Sequence, residues 1–153
     1  MSSSISNVKS ELVGTWKLVS YQSFADDATP VPRQYGDGYI GRVIFTMAGH
    51  MAAILSYKHA NPPTHQEWRL MPDSVIASFA RGLNGYSGPY RLYHDDNGAV
   101  MLQTEVEVAV NPTWIGGLQK RYLKIEEKDG EKWLILTPVQ HIVLEVSKTF
   151  SLF

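Results

Sequence analysis

The chain has 153 residues, 14 of them basic and 15 acidic for a formal net charge of -1, and no cysteine. Its length suits one domain that buries about two-thirds of its unfolded surface, and its dispersed charge lacks the clustered Lys and Arg that neutralise nucleic-acid phosphates. Without cysteine there are no disulfides, thiolate metal ligands or cysteine nucleophiles, and no run approaches the roughly 18 apolar residues of a membrane span.

In chain order, Met1–Ser10 is polar and Ser-rich and has no apolar signal core. It predicts a disordered leader ahead of a single domain over residues 11–153, in a cytoplasmic protein. Gly14-Thr15-Trp16 then opens the first strand: Gly14 permits a tight backbone turn, and Trp16 brings a large ring that must be buried. The strand runs to about Phe24, with Trp16, Leu18 and Ser20 on one face and Lys17, Val19 and Tyr21 on the other. Ala25–Gly38, rich in Asp, Pro and Gly, reads as a loop. Tyr39–Thr46 and Met51–Tyr57 are strands joined by a short Gly-containing turn, which makes a hairpin. A long polar connection, Lys58–Pro72, carries Pro62-Pro63 and Trp68. After Pro72-Asp73, the residues Val75, Ile76, Phe79, Ala80 and Leu83 recur at helical spacing, and Gly82 and Gly85 end the one helix that the periodicity predicts.

From Ser87-Gly88 onward the pattern is β. Tyr90–His94 is a strand, turned by Asp95-Asp96-Asn97-Gly98. Val100–Val110 alternates, with Val100, Leu102, Thr104, Val106, Val108 and Val110 sharing one face. Asn111–Leu118, containing Pro112, Trp114 and Gly116-Gly117, is a structured loop. Gln119–Glu127, Lys132–Thr137 and His141–Phe150 complete about eight strands, with Lys128-Asp129-Gly130 as a further turn. Strands joined by short turns predict an all-β fold, an up-and-down antiparallel barrel with one helix inserted after the third strand. Eight strands leave room for packed side chains or for one small ligand.

The motifs, taken together and in order, resemble a known family. Leu12-Val13-Gly14-Thr15-Trp16-Lys17-Leu18-Val19-Ser20 looks like the opening of calycins, and the first strand is also similar to that of intracellular fatty-acid-binding proteins. Those place a helix pair directly afterwards, where this chain has Asp26-Asp27-Ala28-Thr29-Pro30, a poor helix. The closer resemblance is to the lipocalin-like domain family of bacteria and fungal biosynthetic clusters. It rests on Gly14-Thr15-Trp16, the hairpin Gly41–Met51, Tyr86-Ser87-Gly88-Pro89-Tyr90, Asn111-Pro112-Thr113-Trp114-Ile115-Gly116 and Gln119-Lys120-Arg121, which cover nearly the whole chain. The chain departs from that family's pattern at Thr104 and Glu105, where the family tends to place His, and at Ser147-Lys148, where a basic residue often stands near a Trp. The resemblance implies a cup-shaped interior whose Trp16 end is closed. It does not dictate a reaction, although some small barrels in natural-product pathways are cofactor-free cyclases or isomerases.

No motif for phosphate-loop, dinucleotide, nucleophile-elbow or zinc-protease chemistry is present. His50, His59, His65, His94 and His141 share no metal-ligand spacing, and neither a metal nor a cofactor is expected. Arg121 shares a strand face with Gln119, Leu123 and Ile125. If that face points inward, the guanidinium needs either a ligand anion or a cation–π seat on Trp16. Simple alternation puts Glu105 in solvent. A polar cavity holding Gln103 and Glu105 is the competing reading, in which the carboxylate becomes a general acid or base. Arg121, Glu105 and Tyr57 are therefore the candidate catalytic residues, and Gln103, Tyr90, Trp68, Trp114, Gln119, Phe45 and Phe79 the candidate ligand contacts. Phenols and indoles of this kind also serve simply as core or as covers.

The expected partner is a hydrophobic small molecule, and the loop aromatics are compatible with a homodimer without demanding one. The leading expectation is a cofactor-independent isomerase or cyclase of a hydrophobic natural-product intermediate; the alternative is a non-catalytic carrier of a hydrophobic metabolite, and a third reading is a filled barrel used as an interaction module.

Overall fold

A computed structural model gives the structure, and it describes residues 3–24, 30–31, 38–58, 67–139 and 146–152; for 21–24, 30–31 and 146–152 the description is of the backbone alone. The expected loop Ala25–Gly38 falls almost wholly outside the described residues, as do His59, His65, His141 and the first part of the last predicted strand.

Among the described residues ten strands form one antiparallel sheet: β1 (Gly14–Phe24), β2 (Pro30–Val31), β3 (Tyr39–Phe45), β4 (His50–Tyr57), β5 (Leu83–His94), β6 (Val100–Glu105), β7 (Val108–Ala109), β8 (Leu118–Lys128), β9 (Glu131–Pro138) and β10 (Val146–Leu152). Their order is β10-β9-β8-β6-β5-β4-β3-β1-β2, and an additional pairing of β1 with β10 closes the ring. The eight long strands make the predicted barrel, and the two-residue strands β2 and β7 hang from it. Closure satisfies the backbone groups that an open edge would leave to solvent or to another chain.

Side chains alternate across the wall with period 2. Val43, Phe45, Met51, Leu55, Tyr86, Tyr90, Leu102, Leu123, Leu134 and Leu136 meet inside, while Ile44, Ile54, Lys124 and Tyr122 stand outside. The β8–β9 hairpin turns on two residues, Asp129 at φ 54° and Gly130 at φ 79°, between the paired Lys128 and Glu131. Two successive positive φ values match the twist of the flanking strands, which is why an Asp-Gly pair sits there.

The helix predicted after the third long strand is present as α2 (Asp73–Gly82). The leader is a correction. Most of it is not disordered: α1 (Ile5–Leu12) is helical, with Ser4 Oγ accepting from the Asn7 amide at 3.3 Å as its N-cap. Val8 and Leu12, four residues apart, lie on one helix face and are buried in the core. The Trp16 indole N–H donates to Leu12 O at 2.8 Å, so α1 and the Trp16 ring together close one end of the barrel.

The alternation from Val100 to Val110 is broken as well. β6 stops at Glu105, and Val108 and Val110 are exposed although Leu102, Thr104 and Val106 are buried. The cause lies across the strand pair. β5 begins at Leu83, seven residues before the predicted start, because Gly85 is a strand residue rather than a helix stop and Gly88 continues the same strand. A Cβ on Gly88 would come within 1.8 Å of Glu105 O, and one on Gly85 within 2.6 Å of Ala53 O. These glycines let neighbouring backbones approach closely. The wall bends there, and Glu107 N bonds Ser87 O while Val106 N bonds Gly117 O.

Candidate functional site

β8 supplies the central side chain. Its alternation turns Arg121 and Leu123 inward and Lys120, Tyr122 and Lys124 outward, as the apolar side of the strand requires. Arg121 is only 6% exposed, and Thr104 at 0% is the other buried polar residue among the described residues. The guanidinium donates from Nη1 to Lys120 O at 2.9 Å and from Nη2 to Gln119 Oε1 at 3.0 Å. Among the described residues no carboxylate pairs with it. A guanidinium carries five N–H donors and cannot discard its charge, so two neutral acceptors leave it under-compensated in a buried setting.

The strands on either side complete the surroundings. Leu102 on β6 and Pro138 on β9 stand opposite Arg121 in the register. Thr104 stands opposite Gln119 on one side and Tyr90 on the other. Thr104 Oγ1 is buried with no hydrogen-bond partner. Tyr90 donates its hydroxyl to Thr46 O at 2.8 Å, and Phe45 meets its ring edge-on at 5.3 Å. Burial pushes the Tyr90 phenol above its ordinary range, so it remains a protonated donor. A continuous inner row thus runs Phe45, Tyr90, Thr104, Gln119, Arg121. Arg121 is the fourth residue of β8, at the end remote from α1, whose Glu11 reaches Lys132 near the opposite hairpin at 3.4 Å.

Other predicted residues fall elsewhere. Gln103 and Glu105 are the odd-numbered, outward positions of β6. Gln103 Oε1 accepts from the exposed Arg91 at 3.1 Å, and Glu105 is exposed. The structure therefore does not bring Glu105 and Arg121 into one cavity, because strand alternation separates them by the thickness of the wall. Tyr57 is half-buried at the end of β4, where its hydroxyl donates to Ser78 O at 3.4 Å. Its ring lies so close to Gly82 that a Cβ there would come within 1.8 Å of it. Tyr57 thus fastens α2 to the barrel rim. Phe79 on α2 packs edge-on with Trp68 at 6.0 Å, and Trp68 stays 46% exposed. Trp114, in the 3-10 turn Pro112–Trp114, packs edge-on with Tyr86 at 5.7 Å and covers the core. Arg121 makes no stacking contact with Trp16 among the described residues.

Thr104 was not among the candidates. Its signal lay in the sequence: a hydroxyl inserted between Leu102 and Val106 in an otherwise apolar stripe.

No helix among the described residues is long and apolar enough to cross a membrane. No curated protein and no solved structure matches the chain. The lipocalin-like domain matches residues 13–150, from the entrance of β1 through most of β10. With a closed antiparallel barrel, a helix-plugged Trp16 end and that match over nearly its full length, the chain belongs to the lipocalin-like domain family, whose barrel fits the binding of small molecules.

Proposed function

We propose that the barrel interior holds one small hydrophobic molecule with its polar end against Arg121. The observation that supports this is the buried guanidinium with no acidic partner among the described residues, lodged in an apolar wall. A natural core rarely retains such a charge unless something offsets its desolvation. Leu92, Leu102, Leu123 and Pro138 supply the apolar lining for the ligand body. The test is a fluorescence titration with the neutral probe N-phenyl-1-naphthylamine. Saturable, one-to-one binding is the expected result, and a linear, non-saturating signal overturns the reading in favour of a filled barrel.

A second reading, cofactor-independent isomerisation or cyclisation of a hydrophobic natural-product intermediate, draws on the same cation. Arg121 is held by two hydrogen bonds in an apolar setting, which suits stabilisation of a developing oxyanion, and the barrel wall suits the selection of one reactive conformer. Glu105, being outside, has no part in it, and Tyr57 acts through the rim. Mass-spectrometric search for an isomer of each bound compound separates this reading from that of a carrier, for which ligand is recovered unchanged.

A further inference from the structure

Resting on the small-molecule reading, we infer that the polar end of the ligand is a single carboxylate, received jointly by Arg121 and the hydroxyl of Thr104. Three observations converge. Arg121 Nη2 is steered along β8 by Gln119 Oε1, toward the register level where Thr104 faces Gln119 across the β6–β8 pair. Directly opposed residues of an antiparallel pair stand about 5 Å apart at Cβ, so Thr104 stands beside Gln119, the residue whose side chain holds Arg121 Nη2. Thr104 is wholly buried and its Oγ1 has no partner, although a buried hydroxyl in a folded protein normally finds one.

The donor set decides the class of ligand. Both groups are hydrogen donors in an apolar wall, and an anion of one charge matches the one buried cation among the described residues. A carboxylate uses a flat guanidinium edge with one oxygen or both and has lone pairs left for a hydroxyl. A dianion such as a phosphate monoester would leave a net negative charge among Leu102, Leu92 and Tyr90, since the other described cation of this strand segment, Lys120, is exposed on the outer face. Among the described residues Leu92, Leu102, Leu123 and Pro138 flank this position, so the ligand is a hydrophobic monocarboxylic acid rather than a small polar one.

Thr104→Val keeps the side-chain shape and removes an unpartnered hydroxyl, so the ligand-free protein should unfold at the same temperature or higher. The same substitution should weaken the acid by about ten- to a hundredfold, because a charge-assisted hydrogen bond is lost. A purely structural threonine would show no such opposition.

The experiment is competition against N-phenyl-1-naphthylamine at pH 8 with three acids of different shape, decanoic, 2-naphthylacetic and dehydroabietic, each beside its own methyl ester. For at least one pair the acid should displace the probe at a concentration about tenfold or more below its ester, and Arg121→Gln should erase that preference while the esters bind as before. Should Arg121→Gln fail to fold, Thr104→Val carries the comparison. If the probe binds but every ester competes as well as its acid, the carboxylate assignment is overturned and the small-molecule reading stands. If the probe itself does not bind saturably, the reading beneath it falls as well.

Discussion

At the scale of single residues, burial rather than chemical type distinguishes the side chains that matter. Tyr90 and Tyr57 are both phenols on inward-facing strands, yet one lies in the core row and the other pins a helix to the rim. Tyr90→Phe removes the bond to Thr46 O and should cost about 1 kcal/mol at neutral pH, measured by urea unfolding. The pH dependence carries a sign. Because the folded protein holds the Tyr90 phenol above its ordinary value, it binds that proton more tightly than the unfolded chain does. Its contribution is complete below the ordinary tyrosine value and is lost as pH rises through the folded one. The melting temperature of the wild type should therefore fall more steeply above about pH 10 than that of Tyr90→Phe; parallel curves would show that Tyr90 does not contribute.

At the scale of elements, two features were hidden from the pattern of residues for physical reasons. α1 contains only two core residues, Val8 and Leu12, in a Ser-rich stretch, so its periodicity is faint and its existence depends on the surface it covers. Leu12→Ala should cost about 2–5 kcal/mol and loosen the barrel end, seen as faster amide exchange at Trp16. The first half of β5 was hidden by Gly85 and Gly88, residues that weaken strands in isolation. Their use appears only when Ala53 and Glu105 are set beside them. Gly88→Ala has backbone, not a flexible side chain, in its way, so it should destabilise by about 3 kcal/mol or more, at the upper end of overpacking. A stability within about 0.5 kcal/mol of wild type would mean that β5 and β6 can separate at no cost.

At the scale of the whole molecule, the ring of eight long strands gives a wall with two unlike ends. One is sealed by α1 over Trp16, and the other is rimmed by Tyr57, α2 and the Trp114 turn. Arg121 stands nearer the second end. A ligand taken into the interior binds the folded state alone, so it should raise stability by about 2.7 kcal/mol at a hundred times its dissociation constant. For a chain of this length that corresponds to roughly 5–10 °C in melting temperature. An unchanged melting temperature at saturating N-phenyl-1-naphthylamine would place the probe on the outside of the barrel.

Sequence by itself determined the architecture: strands of alternating residues, tight turns such as Asp129-Gly130, and Gly14-Thr15-Trp16 at the head of the first strand suffice for an antiparallel barrel and its family. It also determined that Arg121 shares a face with Leu123, because alternation is local and admits two faces only. The tertiary structure decided what each face meets. Whether Glu105 joins Arg121, whether Thr104 has a partner and whether a Ser-rich leader folds all depend on residues brought together from distant parts of the chain. Hydrogen-bond satisfaction and close backbone approach are properties of such pairs, and no single stretch of sequence contains them.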